Sequence, residues 1–227
     1  MPTFTYTSNA TFSLTASVST AISCWGAGGD GNANGTGGSG GAYSTRTLTL
    51  QSGSYTVTVG QRNADGRGNG GDSTFVSASI IIVRAAGGKS DGTIAHQDTL
   101  NTGSTKYVGG EGASFTGGYS AYGSGGGGSG AGGLGDGVDA VASVDSGASF
   151  SAFGHTISGS LGADGTAAGG GNGGNGGYYD SGTNARLIPA TNGDAPAGGG
   201  GGGYTGETSG PVVTEGLGAV GRVTVAY

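Results

Sequence analysis

Glycine recurs with a period of three in several stretches of this chain, and this repeat limits the possible folds more than any other feature. Between residues 26 and 41, two of the three registers are mostly glycine, while the third carries Ala, Asp, Thr and Ser. The pattern returns over residues 123–135 and 162–177, and residues 198–203 are glycine throughout. Since a polyproline II helix has three residues per turn and no internal hydrogen bonds, such a repeat gives it two bare faces and one polar face.

Helices of this kind must find partners outside themselves, because an unpaired buried backbone group costs about 1–3 kcal/mol. Only glycine faces allow two backbones to approach closely enough to pair laterally. The repeat therefore predicts a bundle of packed polyglycine II helices, with the all-glycine run near its centre and two-faced segments at its edge. Gly174 would then face inward and Asn175 outward. A flexible Gly/Ser linker is the alternative, but a linker needs no polar residues at fixed registers.

Composition limits the apolar core and excludes several functional classes. The chain has 59 glycines among 227 residues and 33% hydrophobic residues, so one compact domain with a modest core is expected. Eight basic residues against 14 acidic ones give a formal net charge of −6, which argues against a nucleic-acid partner. The first ten residues do not resemble a secretion signal. The longest apolar stretch, residues 80–83, is too short for membrane insertion.

Strand patterns occur at both ends of the chain and predict an all-β fold. Alternating or β-branched runs occupy residues 3–7, 12–18, 21–25, 48–50, 55–59, 79–84 and 222–227. We expect a hairpin between residues 48–50 and 55–59, turning at 51–54, and a strand buried on both faces at 79–84. These strands are enough for a small antiparallel β-sandwich.

These patterns combine into a single glycine-rich domain over residues 1–227. Residues 1–85 and 220–227 would form the β-sandwich base, and residues 86–219 mainly the polyglycine II bundle with its loops. Stretches of ordinary composition between the glycine runs would connect one glycine helix to the next.

The near-matches to catalytic and ligand-binding motifs are all incomplete. A Gly-x-Gly-x-x-Gly run at 26–31 is not followed by a helix, and the EF-hand-like start at 30–35 has Gly41 where a glutamate is required. Gly88-Lys89-Ser90 lacks the first glycine of a P-loop. The histidines, His96 and His155, lack metal-ligand spacing, and Cys24 has no disulfide partner. We therefore expect no enzymatic activity, no cofactor and no metal site.

Aromatic residues concentrate in or beside the connecting stretches at 89–122, 138–161 and 178–204. They are Tyr107, Phe115, Tyr119, Tyr122, Phe150, Phe153, Tyr178, Tyr179 and Tyr204. Loops on a rigid scaffold often carry recognition, and tyrosine offers contact area at low entropic cost. The alternative is that these rings cap the ends of the glycine bundle and supply apolar packing there.

Several motifs together resemble a known family. In order, they are Cys-Trp-Gly-Ala-Gly-Gly at 24–29, Gly-Ser-Tyr-Thr-Val-Thr-Val-Gly at 53–60, Gly-Gly-Asp-Ser-Thr-Phe at 70–75, Ala-Gly-Gly at 86–88 and Gly-Arg-Val-Thr-Val at 221–225. They resemble the glycine-rich domains common in bacteriophage tail-fibre and other virion proteins. The distal tail-fibre adhesins of T-even-type phages are similar, and their loop tips bind a host receptor. This chain departs from them by starting directly with the sandwich.

The resemblance implies a non-enzymatic bacteriophage virion surface protein that recognises the host cell. Its expected partners are a host cell-surface receptor, either protein or glycan, other virion proteins and, in a homo-oligomer, further copies of itself. It would be made in the host cytoplasm without a signal peptide. The nine aromatic residues are the candidate receptor contacts. An exposed edge strand at 3–7 or 223–227 would dock to the virion, with Phe4 and Tyr6 as apolar anchors, unless both edges are covered internally. A structural capsid, collar or tail decoration or fibre subunit is the alternative, and ice binding is a third class.

Overall fold

The computed structural model describes residues 2–32, 35–63, 68–93, 102–114, 121–123, 127–140, 149–152, 155–158, 162–165, 168–180, 189–202, 204–205 and 212–227. These residues form strands and extended segments without a helix, so the predicted all-β class is confirmed. The strands are β1 (Thr3–Tyr6), β2 (Ala10–Leu14), β3 (Val18–Trp25), β4 (Tyr43–Leu50), β5 (Gly53–Thr58), β6 (Ser73–Ser77), β7 (Ile80–Ala85), β8 (Thr105–Tyr107), β9 (Ala121–Gly123), β10 (Ser149–Ala152), β11 (His155–Ser158), β12 (Tyr178–Asp180), β13 (Tyr204–Thr205), β14 (Val212–Val213) and β15 (Arg222–Ala226).

Two antiparallel sheets form the predicted β-sandwich. One sheet has the order β1-β15-β3-β4-β8 and the other β2-β5-β6-β7. The alternating residues of each strand place one apolar set between the sheets, where it is removed from water. The core between them consists of Phe12, Leu14, Ile22, Cys24, Leu50, Tyr55, Val57, Val59, Phe75, Val83, Ala85, Val223 and Val225.

The predicted hairpin between residues 48–50 and 55–59 is wrong. Strand β4 pairs with β3 and β8, while β5 pairs with β2 and β6, so the two strands belong to opposite sheets. Strand β3 pairs with β4 along its whole length and β8 pairs with Tyr43–Thr45, whereas β2 pairs with β5 over Gly53–Val57. The short connection therefore crosses from one sheet to the other, and Leu50 and Tyr55 meet in the core from opposite sides.

The strand predicted at 79–84 exists but is not buried on both faces. Ile80 is 70% exposed and Ile81 43% exposed, whereas Val83 is fully buried. Strand β7 lies at the edge of its sheet and follows a tight turn in which Ala78 and Ser79 have φ values of 44° and 70°. Only its second half runs under the facing sheet.

In the glycine-rich layer, hydrogen-bond direction changes with a three-residue repeat. Successive N–H groups of residues 26–31 donate to three different neighbouring segments, and every third residue returns to the same one. Gly26 and Gly29 donate to Ala42 and Ser39, Ala27 and Asp30 to Gly71 and Gly68, and Gly28 and Gly31 to Ala219 and Gly216. A helix with three residues per turn would show this repeat, so it supports the polyglycine II interpretation.

The glycine run at residues 198–202 lies at the centre of the layer. Residues 198–202 are buried, and a Cβ atom on any of them would lie 2.7 Å or less from a backbone atom of another segment. Backbone hydrogen bonds connect this run to segments on all sides: 26–32, 35–42, 127–131, 171–177, 189–194 and 214–221. The bare backbone of this run thus allows six segments to pack around it.

Side-chain oxygens complete the lattice at its periphery. Asn172 Oδ1 accepts from Gly165 N at 2.8 Å, Asn175 Oδ1 from Gly162 N at 2.9 Å, Asp136 Oδ1 from Val108 N at 2.9 Å and Asp139 Oδ1 from Glu111 N at 2.7 Å. In each pair the acceptors are spaced three residues apart, and so are the donors. At these outer positions the amide and carboxylate oxygens accept the hydrogen bonds that a backbone carbonyl of a neighbouring segment accepts inside the layer.

An aromatic row joins the sandwich to the glycine layer. Arg222, Trp25, Tyr43 and Tyr107 occupy paired positions on four adjacent strands. The Arg222 guanidinium lies 4.3 Å from the Trp25 ring centroid, and the Trp25 and Tyr43 centroids are 4.8 Å apart. The row packs against Ala131 and Ala197 of the glycine layer. Cation–π and ring contacts therefore hold the two parts together.

Candidate functional site

The glycine layer has two distinct ends. At the sandwich end, Gly26 donates a hydrogen bond to Ala42, directly after β3 and before β4. At the opposite end, here called the distal end, Asn32 donates to Thr36. Residues 26–32 and 36–42 therefore run from one end to the other and back, and their partners fix the direction of every segment beside them.

Most of the segments that border the candidate residues end at the distal end of the layer. Gly31 donates to Gly216 and Gly37 to Ala113, which places the ends of those segments beside Asn32 and Thr36. By the same register the layer ends distally at Ala113, Ala140, Gly162, Gly177, Ala190, Gly202 and Thr214. Gly162 and Gly177 border the predicted stretches at 138–161 and 178–204, and Ala113, Ala140, Ala190 and Gly202 lie inside the predicted stretches.

Strand β12 directly follows the distal end at Gly177, and its pairing brings some of the candidate residues together. Tyr179 of β12 pairs with Tyr122 of β9, and Tyr178 pairs with Gly123. Phe150 of β10 pairs with Ile157 of β11, and β11 lies against β9. Tyr204 belongs to the separate β13–β14 pair. The topology thus places Tyr122, Tyr178 and Tyr179 on one two-stranded sheet, next to the hairpin that holds Phe150.

Tyr107 is not part of this group. It is half-buried in β8 at the sandwich end, where its ring stacks on Tyr43 with centroids 6.2 Å apart and an interplanar angle of 19°. The alternation of Thr105, Lys106 and Tyr107 is a strand signal that could have shown this from the sequence. Its observed contacts connect the sandwich to the glycine layer. Phe115, Tyr119 and Phe153 lie outside the described residues.

The candidate docking residues lie on an edge strand. Strand β1 is at the edge of its sheet; Phe4 is 41% exposed and stacks on Tyr227 at 5.7 Å, while Tyr6 is half-buried against the core. The alternative edge at 223–227 is wrong, because β15 pairs with β1 on one side and β3 on the other. A strand with two neighbours has no backbone groups left for strand addition.

The described residues contain few groups suited to catalysis or metal binding. Cys24 is fully buried in the sandwich core, and burial raises the pKa of its thiol far above the ordinary value. Among the described residues, His, Cys, Asp and Glu side chains do not gather into a group of three or more that could hold a metal ion. His155 lies in β11, and His96 is outside the described residues. In the same part of the chain, no helix is long and apolar enough to span a bilayer.

A family model described as a glycine-rich domain matches residues 4–227, which includes the sandwich, the glycine layer and the distal strands. No curated protein matches the chain.

Proposed function

Because the chain belongs to the glycine-rich domain family, we propose that it is a bacteriophage virion surface protein that recognises the host cell without enzymatic activity. The observation that carries the recognition part is the common distal end, at which most of the segments that border the candidate residues end. The bacteriophage part rests on the motifs that resemble glycine-rich domains of virion proteins.

A backbone lattice is a suitable support for recognition loops. Its central run is hydrogen-bonded on all sides, so the ends of the connecting stretches are held at fixed positions relative to one another. Loops fixed at their bases lose less conformational entropy on binding, which raises affinity. Strands β9 and β12 hold Tyr122, Tyr178 and Tyr179, and tyrosine is suited to recognition because it offers contact area with few rotatable bonds.

The proposed partners differ between the two ends. A host receptor, protein or glycan, would contact the distal end, while other virion proteins would contact the sandwich end through β1. Phe4 is half-exposed on that strand and could contact a virion protein. For this reason a structural virion subunit is the second candidate function. The proposal also includes self-association through the same edge of β1.

Cell binding with matched variants tests the proposal. Fluorescently labelled protein would be mixed with a panel of bacterial strains, and its ability to block phage adsorption would be measured on the strains it binds. The double variant Tyr178→Ser/Tyr179→Ser should weaken binding at least about tenfold, since aromatic anchors are frequent binding hot spots. Leu134→Ser is the control, because Leu134 is 77% exposed in the turn after Ala131, at the sandwich end.

Two outcomes would reject recognition at the distal end. One is equal loss of binding in the tyrosine variant and in Leu134→Ser, with both proteins folded. The other is a folded protein that is incorporated into particles but neither binds cells nor blocks adsorption, which would favour the structural role.

A further inference from the structure

A polar groove lies on the side of the glycine layer and reaches its distal end at Gly162; the described residues that line it belong to none of the strands. Its volume is about 510 Å³, and it lies between residues 162–165, 172–175 and 191–194. The lining residues with polar side chains are Asp164, Asn172, Asn175, Thr191, Asn192 and Asp194. Glycine backbone and Ala163 complete the wall, so hydrogen-bonding groups dominate its surface.

The lattice fixes the side chains along this groove. Asn172 Oδ1 and Asn175 Oδ1 accept from the backbone N–H groups of the segment opposite, at 2.8 and 2.9 Å. Thr191 Oγ1 accepts from Asn175 N at 2.7 Å, and Asn192 Oδ1 accepts from Leu217 N at 2.8 Å. Each side chain is therefore held in one orientation before a ligand arrives, which lowers the entropic cost of binding.

The groove offers donors and acceptors side by side. Asn172 Nδ2 donates to Asp194 Oδ2 at 3.3 Å, so an amide and a carboxylate lie next to each other at the groove wall. A carboxylate only accepts, whereas an amide nitrogen only donates. A hydroxyl group can do both, and two neighbouring hydroxyls on a sugar ring match such a pair.

The charge of the groove narrows the ligand class. Two carboxylates, Asp164 and Asp194, line it, and the described residues of its lining include no lysine or arginine. A sugar bearing carboxylate, sulfate or phosphate would be repelled, because like charges at short range disfavour association. We propose that this groove is a binding site for an uncharged saccharide. The site would act independently of the distal strands, as a second contact on the side of the layer.

NMR titration of the whole protein tests this proposal with defined probes. Maltotriose, cellotriose and N,N′-diacetylchitobiose serve as uncharged probes, and 3′-sialyllactose as the anionic control. At least one uncharged probe should cause saturable shifts of the side-chain NH₂ signals of Asn172 and Asn175, and 3′-sialyllactose should not. Absence of shifts with all three uncharged probes, or equal shifts with 3′-sialyllactose, would overturn the proposal.

Two substitutions localise the binding. Asp194→Ala removes a carboxylate acceptor from the groove and should weaken the binding of the active probe about tenfold, as expected for loss of a charge-assisted hydrogen bond. Asp139→Ala is the matched control: it also removes one carboxylate, but Asp139 lies outside the groove lining, where it accepts a hydrogen bond from Glu111 N. This variant should leave the affinity unchanged. If Asp194→Ala does not fold, Asp164→Ala replaces it with the same expectation.

Further outcomes separate this proposal from its alternatives. Equal weakening by Asp139→Ala would show a general charge effect, and abolition by EDTA would show binding through a cation; either result rejects direct hydrogen bonding in the groove. Cell binding measured with Tyr178→Ser/Tyr179→Ser reports on the distal end alone. The groove and the distal site can therefore fail separately.

Discussion

At the residue scale, the segments of the glycine layer can pack closely because glycine has no Cβ atom. A Cβ on Gly31 would lie 1.9 Å from Gly201 O, and one on Gly173 would lie 1.8 Å from Gly127 O. The atoms that such a Cβ would clash with are backbone carbonyl oxygens that accept lattice hydrogen bonds, so they cannot rotate away as a side chain would. A single methyl group must therefore push two segments beyond the usual N···O distance of about 3 Å.

Gly174→Ala should destabilise the protein strongly, and Gly135→Ala should not. The new Cβ at position 174 would lie 2.0 Å from Thr191 O, whereas position 135 has no atom within 4 Å. We expect a loss of about 3 kcal/mol or more in the free energy of unfolding for Gly174→Ala, at the upper end of overpacking effects. For Gly135→Ala we expect a change within about 0.5 kcal/mol. Urea denaturation measures both, and equal stabilities would contradict the assignment of the inward face.

Asp30 is a fully buried carboxyl group in the glycine layer. Its Oδ1 accepts from Gly218 N at 2.7 Å and its Oδ2 from Gly68 N at 3.2 Å. Burial raises the pKa of Asp30, and the two backbone hydrogen bonds and Arg62 only partly oppose this shift, while Glu215 adds to it. The ionised form is therefore disfavoured in the folded protein relative to the unfolded chain, where aspartate has a pKa of about 3.9.

This shift predicts a pH dependence that Asp30→Asn should remove. With a raised folded pKa, the folded state binds more protons than the unfolded one, so the Asp30 contribution to stability falls as pH rises from about 3.9 through the folded pKa and is constant above it. The new amide group would face Gly68 N–H, but that cost does not vary with pH. Urea denaturation from pH 3.5 to 7.5 should show the wild type losing stability relative to Asp30→Asn as pH rises. A constant difference would contradict the raised pKa.

At the element scale, outer segments depend on side-chain acceptors placed three residues apart. Asn175→Val should cost about 1 kcal/mol, because Gly162 N loses its partner but lies near solvent and can bond to water. The cost should be well below that of Gly174→Val, which places a branched side chain on the inward face. Thermal unfolding of the two variants measures the difference. Similar melting temperatures would mean that register does not separate inward from outward positions.

The sequence predicted the inward and outward registers, but it could not predict which segments become neighbours. Gly174 is buried and Asn175 exposed, as the three-residue period indicates. The acceptor role of Asn175 was missed, since it depends on Gly162 lying opposite, which only the packed lattice determines. The same reason explains the wrong hairpin after β4, because alternation reveals a strand but not its partner. Tyr107 was grouped with the loops because its strand is short.

At the scale of the whole molecule, the sandwich and the distal strands lie at opposite ends of the glycine layer. The segment directions that create this arrangement follow from backbone hydrogen bonds alone. Strand β1 is an edge strand of the sandwich, at the end of the protein that faces away from the proposed receptor contacts. A partner that adds a strand to β1 would leave the distal end free.

Deletion of residues 1–7 tests this arrangement. Loss of β1 removes Phe4 from its contacts with Phe12 and Tyr227, so the melting temperature should fall. The glycine layer has no part of its lattice in this strand and should remain folded. We expect the truncated protein to fail to incorporate into phage particles while it still binds cells. Normal incorporation would place the docking surface elsewhere and would favour the structural role over host recognition.

Hydrogen exchange at the central glycine run tests the central claim most directly, which is that backbone hydrogen bonds make the glycine-rich layer a rigid scaffold. The N–H groups of Gly199, Gly200 and Gly201 donate to Gly128, Gly29 and Thr191 at 2.9–3.1 Å. If the lattice is cooperative, these amides should exchange at least about 10³-fold more slowly than in an unstructured chain, at rates comparable to those of core strand β3. Exchange at unstructured rates, with β3 still protected, would show a flexible linker and contradict the account.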